Sequence, residues 1–179
     1  MANGYPVIVE WEDLRFPATA INPPGQASDP DVDTTYGTLL FAASGTEMIF
    51  VLAQLPHSWQ EGSDLHPHIH WAKTTSASGN VMWELQYRWS KIGEVMDSSW
   101  TTLTKATTTV SDGDTAEQHA ITAFDAISGT GCSVSDMLVM KVSRLGDDAA
   151  DTYGADARLL EFDIHLQIDS RGSLAEYTK

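Results

Sequence analysis

The chain has 179 residues, of which 42% are apolar and 20% charged, a balance typical of one folded domain with a substantial core. Its net charge of -15 and its ten scattered Lys and Arg residues argue against a phosphate-binding surface, so we expect no nucleic-acid partner. No apolar run approaches the ~20 residues that span a bilayer, and Met1–Pro6 lacks a secretory-signal pattern, so we expect no membrane partner.

Alternating apolar and polar residues separated by turn residues predict an all-β chain without a long helix. The first predicted strand is Pro6–Leu14. Pro17–Tyr36 contains Pro23, Pro24 and Pro30, which forbid a regular ladder, so we predict a long irregular arm that lies on a neighbouring surface.

The rest of the chain predicts further strands. Ser44-Gly45 predicts a hairpin, Asp147–Asp156 an acidic loop, and Ala123–Ile127 the only helical turn. Together with the first strand, these further strands make about nine predicted strands. The long connections between them predict a jelly-roll-like antiparallel β-sandwich. We therefore divide the chain into an N-terminal strand and Pro-rich arm, residues 1–36, and one sandwich domain, residues 37–179. The further predicted strands are Thr38–Ala42, Glu47–Leu55, Asp64–Lys73, Asn80–Ser90, Thr101–Val110, Glu117–Ala123, Met137–Leu145 and Arg158–Asp169.

The segment Leu65–Trp71 carries three of the six histidines at two-residue spacing. In a strand, His66, His68 and His70 form one polar row, with apolar residues on the opposite face. The interpretation that we favour is a row of neutral imidazoles that faces solvent or a subunit neighbour.

The alternative interpretation is a metal site, because His-x-His on a strand places two imidazoles on one face. His68 and His70 resemble the pair in cupins, which are jelly-roll proteins with a nearby carboxylate. No carboxylate follows His70 at a short interval. A metal site would therefore need Glu84 or His165 from another strand.

No other pattern predicts catalysis. The chain lacks a Gly-x-x-x-x-Gly-Lys phosphate loop and a Gly-x-Ser-x-Gly nucleophile elbow, so we expect neither an enzyme nor a cofactor. Cys132 has no neighbouring cation in the sequence and is expected to be an inert buried thiol. His57 and His119 are expected at the surface. The sequence leaves open whether Trp59 and Trp100 form a sugar-binding platform. The acidic clusters, expected to be solvated, are Asp29, Asp31 and Asp33, and Asp147, Asp148 and Asp151.

Leu65–Trp71 and Phe162–Ser173, with the strand Trp83–Trp89 between them, resemble small structural proteins of tailed-bacteriophage virions. The resemblance implies a capsid decoration, or cement, protein that is made in the host cytoplasm and located on the capsid surface. Such a protein bridges neighbouring capsid subunits as a homo-oligomer, commonly a trimer, so the implied partners are its own copies and the major capsid protein.

Two alternatives stay open, a cupin-like metal-binding protein that uses the histidine row and a phage tail or fibre receptor-binding module. For the decoration protein we expect contact through aromatic and apolar anchors on the N-terminal arm and through the histidine row. The expected interface residues are Tyr5, Trp11, Phe16, Pro23, Pro24, Tyr36, His66, His68 and His70.

Overall fold

The computed structural model describes residues 9–23, 25–110 and 115–179, and in these residues eleven strands form two antiparallel sheets. The predicted jelly-roll-like β-sandwich is confirmed. The six-stranded sheet contains β1 (Glu10–Pro17), β2 (Asp31–Asp33), β3 (Thr38–Phe41), β5 (Leu65–Lys73), β9 (His119–Ala123) and β11 (Ala157–Ile168). The five-stranded sheet contains β4 (Thr46–Gln54), β6 (Gly79–Ser90), β7 (Thr101–Thr102), β8 (Ala106–Val110) and β10 (Met137–Leu145).

Strand β11 organises the six-stranded sheet. One of its edges pairs with β5, and β9 pairs with the far side of β5. The other edge pairs with β3 near the start of β11 and with β1 along the rest of it. Most connections cross from one sheet to the other, as is typical of a jelly roll.

Several local predictions are corrected. Ser44-Gly45 does not close a hairpin, because β3 and β4 lie in different sheets. Gly45 adopts a φ of 77°, a left-handed conformation that suits a turn between sheets. The predicted strand Thr101–Val110 divides into β7 and β8, which both pair with β6. The helical turn predicted at Ala123–Ile127 is absent from that described segment, where Ile127 instead forms a bridge to Leu65.

The segment predicted as an irregular arm contains regular structure. A single 3-10 turn spans Ala18–Ala20, and β2 pairs with β3 over three residues. Strand β1 pairs with β11 over eight residues, from Glu10 to Pro17, and so extends past the predicted end at Leu14. These short pieces account for the strand count above about nine. Residues 6–8 of the predicted first strand lie outside the described residues.

The core fills the space between the sheets with large side chains. Trp59, Trp71 and Trp83 are fully buried, and the Trp83 ring lies edge-on to Phe41 with centroids 5.1 Å apart. In β11 a bulge follows Leu159, so Leu159 points inward and is fully buried, whereas Leu160 is only half-buried. Among the described residues, no helix has the length and apolar character needed to cross a membrane.

Candidate functional site on the outer face of the six-stranded sheet

The register of three strands gathers five of the six histidines on one face of the six-stranded sheet. In the pairing of β5 with β11, His66 lies opposite His165 and His68 lies opposite Asp163. Directly paired residues point to the same side of a sheet. We call this surface the histidine face, and its histidines are His66, His68, His70, His119 and His165.

Three side chains converge at the centre of this face, and we call them the His68–His70–Asp163 cluster. The two imidazole Nε2 atoms lie 3.1 Å apart. Asp163 places Oδ1 2.5 Å from Nε2 of His68 and Oδ2 3.5 Å from Nε2 of His70. Asp163 and His68 are buried, whereas the side chain of His70 is 24% exposed. The cluster therefore has two buried members and one that reaches the surface.

The opposite ring nitrogens of both imidazoles have acceptors of their own. Nδ1 of His68 lies 3.5 Å from the carbonyl oxygen of His66, and Nδ1 of His70 lies 2.8 Å from Nε2 of His119. A proton on each Nδ1 satisfies these contacts and leaves both Nε2 atoms to face each other and Asp163, where they can share a proton or a cation.

The pKa values of the two imidazoles are shifted in opposite directions. The Asp163 carboxylate raises the pKa of His68 against the opposing effect of burial. Burial lowers the pKa of His70 against the opposing effect of the Asp163 carboxylate, and the neighbouring imidazoles of His68 and His119 lower it further. His70 is thereby favoured in its neutral form, which is the form that can donate a lone pair.

Charged neighbours frame the cluster from β1 and β11. Arg15 donates two hydrogen bonds to the Glu161 carboxylate, at 2.5 and 2.6 Å. Nε2 of His165 lies 3.0 Å from Oδ1 of Asp13. A surface pocket of about 360 Å³, lined by Asp13, Arg15, His70, His119, Leu160, Glu161 and Asp163, opens beside the cluster. The pocket connects the buried carboxylate with solvent.

The other predicted contact residues lie in different environments. Trp11 is 56% exposed, and its ring lies edge-on to the exposed His66. Tyr36 is also 56% exposed and lies over the guanidinium of Arg158, 4.5 Å from the ring centre. Phe16 is half-buried with its ring centroid 6.0 Å from that of Phe162, and Pro23 is half-buried. Tyr5 and Pro24 lie outside the described residues.

Glu84 and His165 were the further metal ligands considered from the sequence. Neither belongs to the His68–His70–Asp163 cluster. Glu84 lies on β6 of the five-stranded sheet. The His165 ring contacts that of His68, with centroids 4.2 Å apart, but its Nε2 faces Asp13. Strand patterning alone indicated neither Asp163 as a member of the cluster nor the closeness of His119 to the row. Asp163 and His165 alternate on one side of the last strand in the sequence, but the register that brings them beside β5 is not visible there.

The structure explains or corrects the remaining sequence candidates. Asp33 and Asp151, expected to be solvated, have buried side chains that pair with Arg158 and Arg144. Trp59 is fully buried, so its proposed role in a sugar platform is wrong. Trp100 is half-buried and carries the guanidinium of Arg88 4.5 Å above its ring. Cys132 is buried, as expected, and burial raises the pKa of its thiol.

No protein-family model matches the sequence, and a comparison with curated proteins found no significant match. Among solved structures, the chain is similar to the CBM22-2 xylan-binding domain of Paenibacillus barcinonensis Xyn10C, with 12% identity, a TM-score of 0.37 and coverage of 72% of this chain and 85% of that one. It is similar to the CBM22-1–GH10 modules of the Clostridium thermocellum xylanase 10B, with 11% identity, a TM-score of 0.33 and coverage of 93% and 27%. It is also similar to the Eiger TNF of S. frugiperda, with 9% identity, a TM-score of 0.31 and coverage of 76% and 94%. At this level the comparisons carry no information on ligands.

Proposed function

We propose that the protein is a decoration protein of a tailed-phage capsid, a non-enzymatic homotrimer that bridges neighbouring capsid subunits. The observation that carries the proposal is a pair of exposed aromatic anchors on one side of β11. Trp11 pairs opposite Gln167 near the end of β11, and Tyr36 follows β2, whose partner β3 pairs with the start of β11. Two anchors at opposite ends of one edge suit a protein that contacts two neighbours.

The surroundings of the anchors indicate the chemistry of the partner. Glu10, Glu12 and Asp13 flank Trp11 and are all exposed, and the chain carries a net charge of -15. An aromatic side chain inside a polar rim is the usual anatomy of a binding hot spot. An acidic rim favours a partner whose contact surface is basic.

The resemblance of Leu65–Trp71 and Phe162–Ser173 to phage structural proteins supports the assignment to a virion. For a trimer we expect a mass in solution of about 58 kDa, since closed symmetric assemblies are the usual oligomers and one chain has 19.5 kDa. Light scattering after size-exclusion chromatography measures this mass, and a monomer at all concentrations would contradict the oligomeric part of the proposal.

The test of the capsid role is co-sedimentation of the purified protein with undecorated heads of the phage that encodes it. We expect saturable binding by the wild type and at least about a ten-fold loss of affinity for Trp11→Ala and Tyr36→Ala, because aromatic hot-spot residues contribute about 2 kcal/mol or more and a ten-fold change corresponds to about 1.4 kcal/mol. Leu52→Ala is the matched control, since Leu52 is 58% exposed on the other sheet. Absence of head binding by the wild type, or equal binding by all variants, would contradict the proposal.

Point variants are a cleaner test than deletion of residues 1–36, because the deletion would also damage the six-stranded sheet. That deletion removes β1 and β2, and β1 alone supplies eight paired residues to the edge of β11. A loss of binding in the truncated protein would then report damage to the sheet as well as loss of contacts.

A further inference from the structure

We propose that His68, His70 and Asp163 bind a divalent first-row transition-metal ion on the outer face of the six-stranded sheet. The ligands would be Nε2 of each imidazole and the carboxylate of Asp163. The three donors lie on β5 and β11 and include neither aromatic anchor, so the metal site does not depend on the capsid contacts proposed above.

Two of the three distances between the donor atoms fit a shared ion. Two ligand atoms that are each about 2.1 Å from one metal lie about 3.0 Å apart at a right angle and about 3.4 Å apart at a tetrahedral angle. The two Nε2 atoms are 3.1 Å apart, and Nε2 of His70 is 3.5 Å from Oδ2 of Asp163. The third distance, 2.5 Å from Nε2 of His68 to Oδ1 of Asp163, is shorter than this range, so the carboxylate would have to rotate away from His68 to bind the same ion.

The contacts of the cluster compete for one proton. Asp163 is 4% exposed, and among the described residues its Oδ1 is approached only by Nε2 of His68, 2.5 Å away. A proton on Nε2 of His68 can serve this carboxylate oxygen or the contact with Nε2 of His70, but it cannot point at both. A bound cation satisfies both nitrogens and the carboxylate together.

The Nδ1 atom of each imidazole faces a hydrogen-bond acceptor, as is usual for metal-binding histidines. Nδ1 of His68 faces the His66 carbonyl oxygen, and Nδ1 of His70 faces Nε2 of His119. Metal-binding histidines usually donate their second N–H to such an acceptor, which fixes the tautomer and the ring orientation. The sequence supplies both acceptors, one from the same strand and one from β9.

The ligand set and the surroundings define the class of ion. Two imidazoles and one carboxylate suit Zn²⁺, Fe²⁺ or Co²⁺ and not Mg²⁺ or Ca²⁺, which prefer oxygen ligands. The adjoining pocket leaves the solvent side of His70 open, so water can complete the coordination. Arg15, the nearest cation on β1, is already paired with Glu161.

The test is calorimetric titration of Zn²⁺ into the full chain, produced without a histidine tag and stripped with EDTA, with Mg²⁺ as the second probe. We expect one Zn²⁺ per chain and no Mg²⁺ binding at the same concentration. His70→Gln and Asp163→Asn should weaken Zn²⁺ binding by about a hundred-fold or more, since loss of outer-sphere partners alone costs about ten- to a hundred-fold.

His66→Gln is the matched control, because His66 lies on the same strand and faces Trp11 instead of the cluster. It should bind Zn²⁺ like the wild type. Circular dichroism of each metal-free variant establishes that it is folded, and His70→Gln, at a partly exposed position, keeps the test available if Asp163→Asn does not fold. Absence of Zn²⁺ binding, wild-type affinity in His70→Gln, or an equal loss in His66→Gln would overturn the proposal.

Discussion

His68 on β5 and Asp163 on β11 are direct cross-strand partners, and their side chains meet on the outer face of the sheet with Nε2 and Oδ1 2.5 Å apart. Both side chains are buried although they lie on a face that also carries exposed residues. A buried carboxylate beside an imidazole is costly unless both are well partnered. The pair is therefore the point at which the histidine face departs most clearly from an ordinary solvated surface.

His119 should act as a positioning residue for the metal site. Its Nε2 lies 2.8 Å from Nδ1 of His70, so His119→Ala removes the acceptor that orients the ring. We expect Zn²⁺ affinity to fall by about ten-fold, less than for loss of a ligand. Zn²⁺ titration of this variant measures the effect, and because His119 is exposed, the metal-free melting temperature should stay near the wild-type value. A loss as large as that of His70→Gln would show that His119 is itself a ligand.

The buried ion pair between Arg144 and Asp151 should be a major contributor to stability. Arg144 is fully buried and donates two hydrogen bonds to Asp151, at 2.9 Å each, and others to the carbonyl oxygens of Phe41, Tyr153 and Ala155. Arg144→Met leaves Asp151 and these carbonyl groups without their partner. We expect a loss of about 3–5 kcal/mol in the free energy of unfolding, measured by urea denaturation.

Lys105→Met is the control for this variant. Lys105 is 44% exposed and pairs with Asp148 at 2.7 Å, in the same loop that carries Asp151. An exposed pair of this kind contributes about 0–1 kcal/mol. Similar losses in the two variants would contradict the distinction between the buried and the exposed pair.

Two glycines between β10 and β11 should respond differently to alanine. A Cβ at Gly146 would lie 2.7 Å from the carbonyl carbon of Ala43 and from the backbone nitrogen of Ser44, whereas a Cβ at Gly154 would meet no atom within 4 Å. We expect Gly146→Ala to destabilise the protein by about 1–3 kcal/mol through overpacking. Gly154→Ala should change stability by less than about 0.5 kcal/mol. Chemical denaturation of both variants measures the difference, and equal stabilities would show that the backbone near Ala43 moves freely.

Acid should destabilise the protein through Asp33 at the N-terminal edge. Burial raises the pKa of this carboxyl, but the Thr35 and Tyr36 N–H groups and Arg158 outweigh burial and leave the pKa below its ordinary value. A lowered pKa stabilises the folded state above the unfolded-state pKa, which is about 3.9, and this contribution is lost as pH falls through the folded-state value.

Asp33→Asn removes that linkage. Melting temperatures of the wild type and the variant between neutral pH and pH 2 should therefore converge as the solution becomes acidic, with the wild type more stable at neutral pH. Parallel curves, with a constant difference at every pH, would show that the ionisation of Asp33 does not contribute.

The alternation of apolar and polar residues predicted most of the fold but little of the candidate site. The apolar side of β6, with Val81, Trp83 and Leu85 buried, follows directly from period-two patterning. The Ser44-Gly45 turn was misassigned because a short turn with glycine looks the same whether it joins two paired strands or two sheets. Asp163 was missed because register between strands far apart in sequence depends on packing, which no local pattern records.

Cryo-electron microscopy of phage heads assembled with and without the protein tests the proposed function most directly. We expect density for trimers on the outer capsid surface, at sites between neighbouring capsid subunits, only when the protein is present. The region that contacts the capsid should include Trp11 and Tyr36. Identical heads in both preparations, or density restricted to the tail, would contradict the account.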